Sequence, residues 1–574
     1  MKRVHRMSEH SRTIRGWVVL SLVCLTSGCD APEAPADTIY INGEIITVHD
    51  EQPTAEAVAV RDGIIIGVGS ESEILDMSDE STVVRDLAGR TLVPGFIDGH
   101  AHFGGFGAQA VGANLLASPD GTANTIDELV SALQEYEERE ELAYTGWIYG
   151  MGYDNAILAE RRHPTREDLD RVSTELPVMA VHISGHIIAV NSVGLELIGY
   201  SADTDDPPGG IIRRRAGSRE PNGVLEEMAG LPVMFGILSP TDVEAQAFFI
   251  DQGLQIAKRF GHTTVQEGRA SGPAHLSLAL AASKQAFDID VVAYIDYASR
   301  EMITDEWHGP EYRDRYRIGG LKITLDGSPQ GRTAWRTVPY LLPPEGQDAT
   351  YAGYPAIPDE ELVASLFEEA YEKNWQVLTH TNGDAAIDQL IRAIGPVHRS
   401  SEPADRRHVL IHGQFIRQDQ LDSLVALQMI PSLFPMHTFY WGDWYDEIVG
   451  PEQAQRISPM RSALNRGLIA TSHSDAPVAL PNLMRVMAAT VNRTSRSGQI
   501  MGPDERLTPE EALKAITLWG AYQHFEEDRK GSIELGKLAD LVVLSENPLT
   551  VDPAEIGEIV VLETIKEGRT VYAR

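Results

Sequence analysis

The chain has 574 residues, with 84 Asp plus Glu against 48 Lys plus Arg and a formal net charge of −36. Such a field repels phosphate backbones and excludes nucleic acid as a partner. Hydrophobic residues at 43% and charged residues at 23% give an ordinary globular balance. Beyond the N-terminal region no apolar run reaches the roughly 20 residues of a spanning helix, which excludes a polytopic membrane protein. The two cysteines, Cys24 and Cys29, both lie in the first thirty residues, so the body has no disulfide framework, no cysteine nucleophile and no Cys-type zinc site.

The N-terminus reads as an address. Lys2, Arg3, Arg6, Arg12 and Arg15 form a basic region, Trp17 to Leu25 an apolar one, and Thr26-Ser27-Gly28 precede Cys29. Residues 1–28 are therefore expected to be a secretory signal. Cys29 directly after Ser-Gly resembles a bacterial lipoprotein processing site, at which that cysteine is lipidated. The Pro/Ala-rich stretch 29–37 is a tether too polar to fold. An exported, cell-envelope protein held to a membrane by a lipid is expected.

From Thr38 to Arg90 the apolar residues alternate with period two, and Asn42-Gly43 and Asp62-Gly63 are hairpin-turn dipeptides. The far end, 530–574, behaves likewise, with Ala539–Leu544, Val560–Leu562 and Gly568–Tyr572. Neither piece is large enough for a stable core alone, so the two ends are expected to pair into one composite β-sandwich domain. Between them, 91–529 carries short apolar strands, most followed by a helical stretch: Leu92–Ile97, Thr263–Glu267, Val291–Ile295, Leu321–Leu325, Gln376–His380, Val409–His412, Met429–Leu433 and Leu468–His473. Eight such strands make an α/β chain with a distorted (β/α)8 TIM-like barrel. The long interval after the first strand, about 104–255, reads as an insertion at the barrel mouth, with its own helix at Ile126–Leu142 and strand at Val178–His182.

In Leu321-Lys322-Ile323-Thr324-Leu325-Asp326 the aliphatic side must pack on helices, which turns Lys322 into the barrel. A buried ammonium is costly unless paired, neutralised or modified. His380, His412 and Asp475 stand at C-terminal strand ends, the catalytic face of such barrels. On the first strand, His100 and His102 point the same way at i and i+2, so both can bind one metal.

Thr91-Leu-Val-Pro-Gly-Phe-Ile-Asp-Gly-His-Ala-His102, Pro164-Thr-Arg-Glu-Asp-Leu-Asp170, Ser184-Gly-His186 with Asn191, Asp326-Gly-Ser328, Thr379-His-Thr-Asn-Gly-Asp384, His473-Ser-Asp-Ala-Pro477 and Gly536-Lys-Leu-Ala-Asp540 together resemble the amidohydrolase superfamily. The likeness is to its family 3 branch, which includes N-substituted formamide deformylases, and it runs from about Thr38 to the C-terminus. It implies one or two divalent metal ions, usually zinc. Carried over, His100, His102 and Asp475 would hold one metal, His380 and His412 a second, and Lys322 would bridge them as its carbamate. A plain Lys322 paired to Asp326 beside a single metal is the alternative.

The resemblance implies hydrolysis of an amide or related non-peptide C–N bond in a small molecule. Metal cations lower the pKa of water and polarise the carbonyl, and Asp475 is the expected proton acceptor. His186, Asn191, Glu267, Asp326 and Asn382 are candidate substrate groups, with structural hydrogen bonding as the competing role. The loop Tyr340–Pro358 is a candidate lid, and Phe434, Phe439–Trp441, Trp444 and Tyr445 could line an apolar pocket or pack the core. A barrel lipoprotein that binds without turnover, and an ester or lactone hydrolase, are the other readings; a homodimer is a further assembly to consider.

Overall fold

A computed structural model describes residues 34–208, 210–238, 242–344 and 347–574. The expected signal peptide and Cys29 lie outside the described residues. Eight strands form one sheet in chain order, every neighbouring pair parallel: β1 (Phe96–Ile97), β2 (His262–Ala270), β3 (Asp290–Asp296), β4 (Tyr316–Thr324), β5 (Gln376–Thr381), β6 (Val409–His412), β7 (Ile430–Leu433) and β8 (Thr471–Ser472). The chain is thus mixed α/β with a curled parallel sheet. Helices buried on the apolar stripe, such as Glu360–Lys373, cover its outer face. That helix starts where Asp359 accepts from the backbone of Glu361 and Leu362, and it stops at Asn374, which turns left-handed at φ 54°. Such a cap stabilises a helix by about 1 kcal/mol.

The ends of the sheet meet through loop backbone and side chains. The Asp475 N–H donates to the His100 carbonyl at 3.0 Å, and His102 N–H to that of Ala476 at 2.8 Å. Buried Asp98 accepts from Ser474 N at 3.1 Å and Ser474 Oγ at 2.5 Å. A side chain at Gly99 would stand 2.6 Å from Thr471 Oγ1, so only glycine lets β1 and β8 approach this closely.

Strands from both chain ends share a second sheet, in the order Arg569–Ala573, Val561–Lys566, Leu541–Leu544, Thr91–Pro94, Glu44–Ile46 and Thr54–Ala55. Its central pairing sets Val93 opposite Val542. Asp62-Gly63 makes the expected hairpin between Ala57–Arg61 and Ile64–Gly69. Asn42-Gly43 does not: Thr38–Ile41 belongs to a separate four-stranded sheet, and the dipeptide carries the chain from one sheet to the other. The site is too crowded for a side chain, since a Cβ on Gly43 would lie 2.6 Å from Arg90 O.

A buried charge cluster fastens the start of β3 to these end strands. Asp290 Oδ2 lies 2.6 Å from both Lys530 Nζ and Lys566 Nζ, Asp290 Oδ1 3.0 Å from Arg315, and Lys566 reaches Asp540 at 2.7 Å. Burial pushes the Asp290 carboxyl up, but the two ammonium groups outweigh it and hold it far below the carboxylate range.

Between β1 and β2, a six-stranded sheet spanning Ala113 to Glu227 builds a core of its own from Leu129, Leu133, Tyr149, Val181 and Leu225. The segments flanking it, Phe103–Val111 and Val243–Arg259, are helices; Phe103, Phe106, Leu254 and Ala257 pack into the main core with the parallel sheet. The expected helix Ile126–Leu142 stops at Glu137, and a separate turn forms at Leu142–Thr145. Glu135, Glu137, Glu138, Glu140 and Glu141 crowd that C-terminus, where the helix dipole disfavours negative charge. The strand Val178–His182 forms as expected.

Candidate metal centre

His100, His102 and Asp475 each offer a ligand atom, and these atoms lie within 4.8 Å of one another. His100 Nε2 is 3.8 Å and His102 Nε2 3.6 Å from Asp475 Oδ1, and His412 Nε2 is 4.0 Å from Asp475 Oδ2. Lys322, 1% exposed, places Nζ 3.0 Å from His100 Nε2. The His380 ring completes the group, 4.6 Å from that of His412. All six side chains come from the C-terminal side of β1, β4, β5, β6 and β8. His412 and Asp475 sit in the left-handed region at φ 72° and 52°, strain on the order of 1–3 kcal/mol that the surrounding packing must hold. Gly268 makes room for His100: a Cβ there would stand 2.2 Å from His100 Cε1.

Partners on neighbouring strands fix these rings. His100 Nδ1 meets Gln266 Oε1 at 2.6 Å, and Gln266 Nε2 donates to Gly99 O at 3.2 Å. Glu267 Oε1 lies 3.8 Å from His102 Nδ1, and its other oxygen accepts from Gly104 N at 2.7 Å. His412 Nδ1 is 3.1 Å from His473 Nε2. These contacts leave the Nε2 atoms of His100, His102 and His412 facing Asp475. His380 differs: its Nδ1 is buried without a hydrogen-bond partner, with Asp326 Oδ1 3.4 Å away, while Asn382 Nδ2 stands 3.4 Å from its Nε2.

Burial dominates the electrostatics. It drives His100 and His412 well below the ordinary imidazole value, helped by Lys322 at His100 and by His380 at His412. Burial likewise lowers Lys322 to about 7, against the pull of Asp475, and raises Asp475 against the nearby His102 and Lys322. Neutral imidazoles, an amine close to neutrality, a carboxylate and an unpartnered buried His380 nitrogen form a donor set that fits divalent cations.

Of the five candidate substrate groups, two sit behind the histidines. Glu267 braces His102, as above. Asp326 is buried and accepts from Asn382 N at 2.9 Å, Gly383 N at 2.7 Å and Trp335 N at 3.0 Å. It anchors the loops after β4 and β5, and Lys322 reaches His100, not Asp326. Asn382 Nδ2 also donates to Gly327 O at 3.0 Å. Asn191 is spent inside the insertion: Oδ1 accepts from Val178 N and Gly194 N at 3.0 and 2.8 Å, and Nδ2 donates to Ser173 O and Leu176 O at 2.9 Å each. The His186 side chain is 42% exposed on the insertion and pairs with Glu227 at 3.1 Å. Phe434, Tyr440, Trp441 and Tyr445 are buried on or before the helix Met436–Val449, with Phe434 stacked on His473.

Fold and site together are those of an amidohydrolase-type protein with a donor set suited to divalent cations. An uncharacterized metal-dependent hydrolase from Pyrococcus horikoshii has the same fold, with a TM-score of 0.71 at 22% identity over 90% of this chain and 99% of that one. The chain belongs to the amidohydrolase family, whose model matches residues 83–572. Among its relatives is a Bacillus subtilis (strain 168) protein described as an amidohydrolase, 28% identical over 93% of this chain and 99% of its own length. The N-substituted formamide deformylase of Arthrobacter pascens is 27% identical over 94% and 98%.

Proposed function

We propose that the protein hydrolyses amide or related non-peptide C–N bonds of small molecules. The observation that carries this reading is the convergence of His100, His102, Lys322, His380, His412 and Asp475 at one end of the parallel sheet. One or two divalent ions, zinc by the nitrogen and oxygen character of the donors, would be held by these residues, with Lys322 as a bridging carbamate. A bound divalent ion supplies Lewis acidity that polarises a carbonyl and acidifies water. Asp475, whose carboxylate faces three imidazoles, accepts the proton of the attacking water. The water oxygen bonds to the carbonyl carbon, the C–N bond breaks, and Asp475 returns the proton to the departing nitrogen. Products are a carboxylic acid, or a carbamic acid from a urea, and an amine.

The insertion at the sheet's C-terminal end and the loop Tyr340–Pro358 are the elements proposed to set the substrate. The sheet is proposed to close as a distorted TIM-like barrel, with 38–90 and 530–574 as a composite sandwich domain. At the N-terminus, we propose lipidation of Cys29 after removal of 1–28, which tethers the enzyme to a bacterial envelope membrane.

The test is metal analysis of the purified protein followed by a screen of N-substituted formamides, N-acyl amino acids, carbamates and cyclic ureas. Formamides come first because of the Arthrobacter relative. At least one firmly bound equivalent and turnover of one class support the reading. Less than half an equivalent would favour a binding lipoprotein, and turnover of esters or lactones alone would move the activity off C–N bonds.

A further inference from the structure

We propose that His473 and Ser432 form a reversible relay that sets which nitrogen of His412 is free to hold a cation. This rests on the metal-site reading above and assigns positioning roles to two residues that touch neither substrate nor reacting atoms.

Three groups stand in a row inside the sheet. His412 Nδ1 is 3.1 Å from His473 Nε2, and His473 Nδ1 is 3.0 Å from Ser432 Oγ. Both rings and the hydroxyl are buried, and Phe434 stacks on His473 with ring centroids 5.3 Å apart and planes 2° from parallel. The ring of His473 is therefore held in place, and its hydrogen bonds run through its two nitrogens. In a row of two neutral imidazoles and one hydroxyl the protons can run in only two orders. In the first, His412 donates from Nδ1 to His473 Nε2, and His473 donates from Nδ1 to Ser432 Oγ. His412 Nε2, on the side of Asp475, then carries a lone pair. In the second, Ser432 donates to His473 Nδ1, His473 donates from Nε2 to His412 Nδ1, and His412 Nε2 bears a proton directed toward Asp475 Oδ2 at 4.0 Å.

Only the first order lets His412 bind a cation through Nε2. The hydroxyl at the far end is what makes the row reversible, because Ser Oγ both accepts and donates. Both orders hold the same three protons, one on each ring and one on the Ser432 hydroxyl, so a cation at Nε2 favours the first order over the second without any buried nitrogen in the row losing its partner.

Zn(II) affinity of the full-length protein, measured by chelator competition, tests the relay through four variants or states. His473→Phe keeps the stack on Phe434 but removes both nitrogens, and is expected to weaken the Zn(II) that His412 holds by about 10- to 100-fold. His473→Gln sets an amide oxygen near the position of Nε2 and is expected to stay within about threefold of wild type, since that oxygen accepts from His412 Nδ1. Ser432→Ala removes only the far end and is expected to cost about tenfold. Equal affinity of His473→Phe and wild type, or a loss in His473→Gln as large as in His473→Phe, overturns the relay. Should His473→Phe fail to fold, an unchanged affinity in Ser432→Ala overturns it equally. Wild-type protein that takes up no Zn(II) overturns the metal-site reading itself, a different result from metal uptake that ignores these substitutions.

Discussion

Asp475 donates its backbone N–H to the carbonyl of His100 at 3.0 Å, while its carboxylate faces the His100 ring from 3.8 Å. One residue therefore joins the two ends of the parallel sheet by its main chain and serves the site by its side chain. Asp475→Asn separates the roles: it keeps the peptide and the volume but removes the proton acceptor. Turnover is expected to fall by about 10²- to 10⁴-fold, with the thermal transition in chelator within a few degrees of wild type in chelator. A comparable drop in melting temperature and rate would make Asp475 structural.

Lys322 carries the sharpest prediction on metal number. Its amine, lowered to about 7 by burial, has the neutral form that adds carbon dioxide. Lys322→Ala is expected to lose one metal equivalent and nearly all activity, with partial recovery in a short carboxylic acid buffer. Lys322→Arg keeps a charge but forms no carbamate, and is expected to be as inactive. An arginine variant with wild-type metal content and rate would leave Lys322 a simple cation.

Metal removal reads out the same centre independently. A ligand present at about 100 times its Kd stabilises the folded state by about 2.7 kcal/mol, so chelation should lower the melting temperature measurably. His100→Ala and His412→Ala should abolish turnover, fold with the spectrum of wild type, and no longer respond to chelator. Insoluble expression of both variants would mark these histidines as structural.

The strand ends that bear the ligands were legible because alternation forces Lys322 inward and sets His100 and His102 on one side. The braces were not. Gln266, Ser432 and the pairing of His473 with His412 depend on the register between neighbouring strands, which no local pattern encodes. Asn191 was misleading for a related reason: Asn before Ser-Val-Gly is also a helix N-cap, and the cap, accepting from Gly194 N, is what forms. Asn42-Gly43 shows the same limit, since a turn dipeptide does not say which sheet the next strand joins.

Acid should loosen the clasp at Asp290. Its folded-state pKa lies below the unfolded value of about 3.9, so its stabilisation is fully present above that value and is lost as pH falls toward the folded pKa. Melting temperature should decline from about pH 4 downward, and Asp290→Asn should be less sensitive there. At neutral pH that substitution is expected to cost about 1.5–3 kcal/mol, because it takes a charge-assisted partner from Lys530 and Lys566 and leaves Glu526 and Asp540 as their remaining counter-charges. Equal acid profiles in both proteins would show that other carboxylates govern the decline.

Cys29→Ala should move the protein from the membrane to the soluble fraction on cell fractionation. Identical partitioning of wild type and variant would remove the lipid anchor from the description.

The pairing of Val93 with Val542 has a temporal consequence. A ribosome adding about 5–20 residues per second needs tens of seconds to reach the strand that covers Thr91–Pro94. Through that time Leu92 and Val93, buried in the finished protein, have no partner on one side, and β1 follows immediately after them. Release of the complete chain, rather than emergence of its first half, is then the event that commits the N-terminal strands. A C-terminal truncation before Leu541 should leave a species that chaperones retain and proteases clear, even though every proposed metal ligand is still encoded.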